Sequence, residues 1–371
     1  MKSLAGCLML VGLLVLEPAY DPKPHLAVIA KTGPQGTGSL PAKAARDELA
    51  KRGVEVLPPL LVAMDTTNSV AANWYRTAYE EIVARELSHS ETKWPVEFLK
   101  EYVSDAKRIG RPRRLVLTLL DKLEPTYREQ WLPTRLNDSE FRYEAVGLAL
   151  AAGDRALKNK DEATAKAAFR KAFEAARDST QVTQAAAKLK SLGESVDAVS
   201  HLGLVVDWWL VGPFDAPQKT GFAKVFEPEN KVDLQAKYRG QAGEIAWKQH
   251  HETDTLGQLD LNKQLSTTRE AVGYAYTEID VSREQVAQVR CGADDNCSVW
   301  LNGEKVFARD QWLNGIRFDR FVTPIQLKAG RNTLLVKVCQ GPQHKDPGSL
   351  QLRLCDADGR GVNFMPSEKP K

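Results

Sequence analysis

The chain has 371 residues, 43% hydrophobic and 27% charged, the make-up of soluble globular protein, and its length exceeds what one hydrophobic core usually supports. Fifty-one Lys and Arg against 48 Asp and Glu leave a formal charge of +3, too balanced for an electrostatic nucleic-acid binder. Five cysteines are too few for a disulfide scaffold.

Met1-Lys2-Ser3 supplies a basic start, and the apolar run over residues 4–16 falls short of the about 20 residues that a spanning helix needs. It has the form of a signal-peptide core, so residues 1–19 are expected to direct export. The destination is the periplasm or the exterior, with membrane association if the segment is retained. Leu4-Ala5-Gly6-Cys7 matches a lipobox in letters, but a lipobox follows the apolar core and here the core follows Cys7. Residues 20–39 read as a flexible linker. Within them Gly33-Pro34-Gln35-Gly36-Thr37-Gly38-Ser39 imitates a phosphate loop. The Lys required after the last Gly is missing, since Ser39-Leu40 stand there, so no nucleotide is expected.

Helices are predicted over 40–52, 56–64, 69–87, 96–107, 111–122 and 140–158. In the third, Ala72, Tyr75, Tyr79, Ile82 and Val83 fall at helical spacing, and Asn68 or Ser69 can cap it. Short breaks between helices imply antiparallel neighbours and an α-solenoid over residues 40–150. The run Leu57-Pro58-Pro59-Leu60-Leu61-Val62-Ala63-Met64, with Asp138-Ser139-Glu140-Phe141-Arg142-Tyr143-Glu144-Ala145-Val146 further along, resembles a degenerate HEAT-repeat array. Residues 151–200 are Ala-rich on one face. Gly153-Asp154 and Ala168-Phe169-Arg170-Lys171-Ala172 resemble one tetratricopeptide-type unit, although a helical hairpin joining two domains suits the same pattern. The basic run Arg108-Ile109-Gly110-Arg111-Pro112-Arg113-Arg114 reads as a solvated turn between helices, with an acidic partner as the alternative.

Near His201 the apolar period changes from 3.6 to 2. Strands are predicted over 205–211, 271–280, 285–291, 298–301, 305–308, 320–327, 333–339 and 350–355. Asn302-Gly303 between two of them is a hairpin signal, because both turn positions need positive φ. Short strands with turn signals between them argue an antiparallel β-sandwich over residues 201–366. The fold class is therefore α plus β, a helical solenoid followed by a sandwich.

Cys291 and Cys297 flank residues 292–296, so a hairpin there would set them opposite each other at disulfide distance. Buried thiols acting as small hydrophobes are the alternative. Cys339 and Cys355 fall at opposite ends of what reads as a hairpin and are not expected to bond. Asp294-Asp295-Asn296 gathers oxygen side chains of the kind Ca²⁺ takes, although Asp and Asn also simply suit a tight turn. Trp300, Trp312 and Phe318, with Arg317 beside them, are candidates for an aromatic platform that stacks on a sugar ring. Trp300 lies off the Val299/Leu301 parity and so faces the other side of its sheet. No histidine pair has metal-ligand spacing, and no nucleophile elbow occurs.

Two runs carry a more specific likeness. Trp208-Trp209-Leu210-Val211-Gly212-Pro213-Phe214-Asp215 resembles the entry strand of galactose-binding-like jelly-roll domains of secreted bacterial glycoside hydrolases. Asp294-Asp295-Asn296-Cys297-Ser298-Val299-Trp300-Leu301-Asn302-Gly303-Glu304 resembles their central hairpin, and residues 327–338 their closing strand. The likeness implies a jelly roll. Through related flocculin-type lectin domains it implies Asp294 and Asp295 as calcium and sugar ligands. Together these readings give a non-catalytic exported protein, the sandwich binding a polysaccharide and the solenoid binding protein. A scaffold without glycan binding and a degenerate glycoside hydrolase component are the alternatives.

Overall fold

The computed structural model describes residues 20–265, 269–312, 315–342 and 348–366. The expected signal peptide, residues 1–19, lies outside the described residues, as does His344. No described helix is long and apolar enough to cross a membrane. The chain divides into two compact units, residues 1–131 and 132–371.

The first unit is helical: α1 (Lys23–Ala30), α2 (Ser39–Ala50), α3 (Leu57–Met64), α4 (Ser69–Glu86), α5 (Val96–Ser104), α6 (Gly110–Leu123) and α7 (Tyr127–Trp131). Local chemistry sets the ends. Asn68 Oδ1 accepts from the backbone N–H of Val70 and Ala71, and so caps α4. Prolines open α1 and α3, where a missing N–H costs nothing. The expectation of a flexible linker over 20–39 is corrected here. Residues 23–30 form α1, whose Ile29 is fully buried, and Tyr75 Oη of α4 donates to Leu26 O at 2.8 Å. An apolar stripe with a partner orders a segment that Gly and Pro content alone would leave loose. The basic run also divides. Arg113 is buried and its Nε donates to Val103 O at 2.9 Å, while Arg108 lies over the Tyr102 ring at 4.6 Å.

The second unit opens with α8 (Arg142–Lys158), α9 (Glu162–Ala175), α10 (Ser179–Ser191) and α11 (Ala198–Leu202). Asp161, Asp178 and Asp197 cap the last three. A Cβ on Gly153 would stand 2.5 Å from the Phe169 ring, so glycine is what lets α8 and α9 approach. Helix α8 packs with the hairpin that follows it, within the second unit, so the expected single solenoid over residues 40–150 does not hold together at its C-terminal end.

The sandwich follows. Its larger sheet runs β4-β1-β6-β11-β8-β9: β4 (Lys248–His251), β1 (Asp207–Asp215), β6 (Ala271–Val281), β11 (Gly330–Gln340), β8 (Cys297–Leu301) and β9 (Glu304–Arg309). The short strand β13 (Met365–Pro366) adds to β6. Opposite lies β10-β7-β12-β5: β10 (Phe321–Leu327), β7 (Gln285–Ala293), β12 (Ser349–Cys355) and β5 (Leu259–Asp260). All pairings are antiparallel. The turn Asn302-Gly303 has φ of 50° and 84°, as its hairpin demands. Each of the eight strands expected from the alternation is present. The excursion over 216–265 carries elements the pattern did not announce: α12 (Glu227–Asn230), a small ribbon of β2 (Lys237–Arg239) and β3 (Glu244–Ala246), strands β4 and β5, and α13 (Leu261–Leu265).

Two cysteine expectations change with the topology. Strands β7 and β8 belong to different sheets, so residues 294–296 arch from one sheet to the other and form no hairpin. Cys291 shares the parity of Ala287 and Val289, and Cys297 that of Val299 and Leu301, so both thiols enter the sandwich interior from opposite sides. They are free and buried, and the thiol contact with Cys291, followed by burial, pushes the Cys297 thiol up. Strands β11 and β12, which carry Cys339 and Cys355 near their C-terminal ends, likewise lie in different sheets.

Candidate functional site

The larger sheet has two unlike faces. Leu334, Val336 and Val338 of β11 point into the aliphatic interior, with Trp208, Ala275 and Val299 from neighbouring strands. Leu335, Lys337 and Cys339 point outward, beneath the excursion. Phe214, Phe226, Tyr274, Tyr276, Trp247 and Trp300 form an aromatic layer there. Phe214 meets Tyr274 edge-on at 5.6 Å, and Trp247 meets Tyr276 in the same way at 6.1 Å.

One buried ion pair holds this layer down. Lys337 is 1% exposed, yet its Nζ sits 2.7 Å from Glu229 Oε1 and donates to Lys224 O at 2.6 Å. Tyr274 Oη donates to the same Glu229 oxygen at 2.6 Å, and burial, with Glu229 beside it, pushes the Tyr274 phenol well above its ordinary range. A buried ammonium survives only when its donors are met, and here a carboxylate and a backbone carbonyl meet them. The pair fixes α12 over the sheet.

Beside that anchor lies a cleft of about 300 Å³. Tyr276, Trp300 and Leu335 form its floor, Asn302 and Thr333 one rim, and Glu229 with Asn230 the other. Trp300 is only 6% exposed, so a ligand would meet the ring at an edge, and Lys305 Nζ stands 4.7 Å over the ring. An apolar floor with converging amide, hydroxyl and carboxylate groups can hold a polar ligand that has an apolar face.

The residues singled out from the sequence scatter. Trp300 lies on the face opposite to Val299 and Leu301, as its parity required, and that face is the outward one. Trp312 is half-buried, rests against Gly341 and has Lys219 Nζ 4.9 Å from its ring. Phe318 turns away from both: it packs against the helical cluster of the second unit, with the Arg353 guanidinium 5.0 Å over its ring. Arg317 is exposed, and its backbone carbonyl lies against Gly292. A single platform of Trp300, Trp312 and Phe318 does not form.

Asp294, Asp295 and Asn296 are 3%, 6% and 0% exposed, and they serve the arch between the sheets. Asp294 Oδ2 accepts from the Ser349 backbone N–H at 3.3 Å, and Asp295 Oδ2 from that of Gly341 at 3.0 Å. Asn296 Nδ2 donates to Asp310. These oxygens pair with backbone that a strand-to-strand crossover leaves unpaired, instead of facing solvent as a calcium loop. No group of three or more His, Cys, Asp or Glu suited to a metal occurs among the described residues.

Sequence reasoning missed Lys337, Glu229 and Tyr274. The signal was there for one of them: Lys337 is a lone charge in the run Leu334-Leu335-Val336-Lys337-Val338. On a sheet with one solvated face such a residue reads as outward and exposed, and only the excursion makes it buried.

No family model matches this chain, and no curated protein does. Among solved structures, a family 35 carbohydrate-binding module from an environmental isolate shares 18% identity, with 28% of this chain and 78% of that one covered, at a TM-score of 0.20. A GH31 α-xylosidase from Xanthomonas citri shares 14% identity over 44% of this chain and 17% of its own, at a TM-score of 0.24. A β-glucosidase from Kluyveromyces marxianus shares 10% over 72% of this chain and 36% of its own, at a TM-score of 0.30. The match thus spans well under half the length of either glycosidase.

Proposed function

We propose that this chain is an exported, non-catalytic glycan-binding protein. Its sandwich takes a polysaccharide in the cleft floored by Trp300 and Tyr276, and its helical region, a HEAT-like array, engages a protein. The observation that carries the reading is the cleft itself, an aromatic floor between two polar rims beside a buried ionic anchor. Sugar rings present apolar C–H faces and equatorial hydroxyls, which is the complement of that lining.

The test is binding of the full chain to a panel of soluble polysaccharides by titration calorimetry. Trp300→Ala is expected to abolish binding, and Asn230→Ala, at the cleft rim, to weaken it about tenfold, the worth of one hydrogen bond of about 1.4 kcal/mol. Circular dichroism would verify that both variants fold. Lack of binding across the panel, or binding indifferent to both substitutions, would refute the reading. Release of reducing sugar by the purified chain would refute its non-catalytic part.

A further inference from the structure

The carboxylate that lines the cleft is already neutralised. Glu229 Oε1 lies 2.7 Å from Lys337 Nζ and accepts from Tyr274 Oη at 2.6 Å, so its charge is answered from beneath the floor. The next carboxylate along the same outward face is answered too. Glu278 Oε1 accepts from Tyr276 Oη at 2.7 Å, and Arg331 Nη1 stands 3.3 Å from Glu278 Oε2.

Two ammonium groups at this cleft are not answered. Lys231 follows Glu229 and Asn230 on one rim and lines the cavity with them. Lys305 follows the Asn302-Gly303 turn of the other rim. It pairs with Trp300 across the β8–β9 hairpin, and its Nζ stands 4.7 Å over that ring. Both residues are exposed, and among the described residues neither meets a carboxylate. Asp233 and Glu304, the other acids beside them in the chain, do not line the cavity.

A single exposed lysine is ordinary on a protein surface. Two on opposing rims of one cavity, above an apolar floor whose flanking charges cancel, set up a positive potential felt by anything bound between them. We infer that the cleft selects an anionic polysaccharide, one whose sugar rings carry a carboxylate or a sulfate ester. The ring meets the floor of Tyr276, Trp300 and Leu335, and its anionic substituent faces Lys231 or Lys305. This rests on the glycan reading above and adds the charge of the ligand to it. Lysine suits either anion, because an ammonium is a compact point charge without the planar donor fork of guanidinium.

The test is titration calorimetry of the full chain with two matched pairs, polygalacturonate against its methyl ester and dextran sulfate against dextran. Within a pair the backbone is shared and the charge differs. The charged member of at least one pair is expected to bind about tenfold tighter or more. That advantage should vanish in about 1 M NaCl, where the Debye length falls to about 3 Å. The pair that shows it identifies the anion as carboxylate or sulfate ester. Lys231→Gln and Lys305→Gln are each expected to raise the Kd of the charged polymer about threefold, and together about tenfold, with the uncharged polymer unaffected. Lys171→Gln, which removes the same charge from an exposed position of α9, should change neither. Uncharged polymers that bind as tightly as charged ones, or lysine variants that keep the original Kd, overturn the inference and leave the glycan reading standing. Charged polymers held equally well by Trp300→Ala adhere outside the cleft, which overturns it as well. Absence of binding to any polymer, charged or neutral, ends the glycan reading and this inference together.

Discussion

The two faces of the larger sheet are made from the same strands and follow opposite strategies. The inner face buries aliphatic side chains against a second sheet, with Val299, Leu334 and Val336 fully buried. The outer face buries rings beneath a non-repetitive excursion, and needs Lys337, Glu229 and Tyr274 to hold that cover in place. A flat sheet packs on a flat sheet through shape alone, because alternation presents one continuous apolar surface. An irregular segment offers unpaired backbone groups, so it must be fastened by specific polar contacts as well as by contact area.

Substitutions can separate the two strategies. The largest effect is expected from Lys337→Met, which leaves Glu229 buried without its counter-charge. A loss of about 3–5 kcal/mol in urea denaturation is expected, with part recovered in the double variant Lys337→Met/Glu229→Gln. Equal losses in the single and double variants would show that the charge itself does not matter. Leu334→Ala, on the inner face, should cost about 2–5 kcal/mol through lost burial and a cavity, without disturbing the cover. Fluorescence from the aromatic layer should therefore shift in the Lys337 variant and stay put in the Leu334 variant. The reverse result would dissolve the distinction between the faces.

The outer face also carries a pH signature. Burial pushes the Cys339 thiol up to about 12, from an ordinary value of 9.0. A raised folded-state value means that the protonated thiol favours the native state. That contribution is intact below pH 9 and is lost as pH climbs towards 12. Stability should fall across this window with a slope of at most about 1.4 kcal/mol per pH unit from this group, and Cys339→Ala should flatten the fall. The arch thiols give a further check. Cys291 and Cys297 should resist iodoacetamide in the native chain and react together on unfolding, as mass spectrometry of peptides would record. The smallest effect belongs to Val286→Ser, on the other sheet, where the side chain is 73% exposed; a change within about 0.5 kcal/mol is expected.

Much of the helical region was legible, since spacing and caps are local. The residues from Ser69 to Glu86 form a helix because apolar positions recur at its period and Asn68 closes its first turn. The functional residues were less legible. Parity alone sets Trp300 on the face opposite Val299 and Leu301, yet nothing in its neighbourhood along the chain indicates which face is outward, or Glu229 and Lys337 as companions. Asp294 and Asp295 carry the composition of a metal loop, and their burial follows from which sheets the flanking strands join. Phe318 sits close to Trp312 in the chain and packs with different elements.

Sequence alone determined where the period changes near residue 201, which side chains of each strand share a face, and the turn at Asn302-Gly303. These are consequences of backbone geometry acting over a few residues. Tertiary structure decided that β7 and β8 enter opposite sheets, that the excursion roofs the outer face over Lys337, and that Lys231 and Lys305 stand at one cleft. Such outcomes depend on contacts between segments far apart in the chain. Their free energy comes from desolvation and charge pairing that no local pattern encodes.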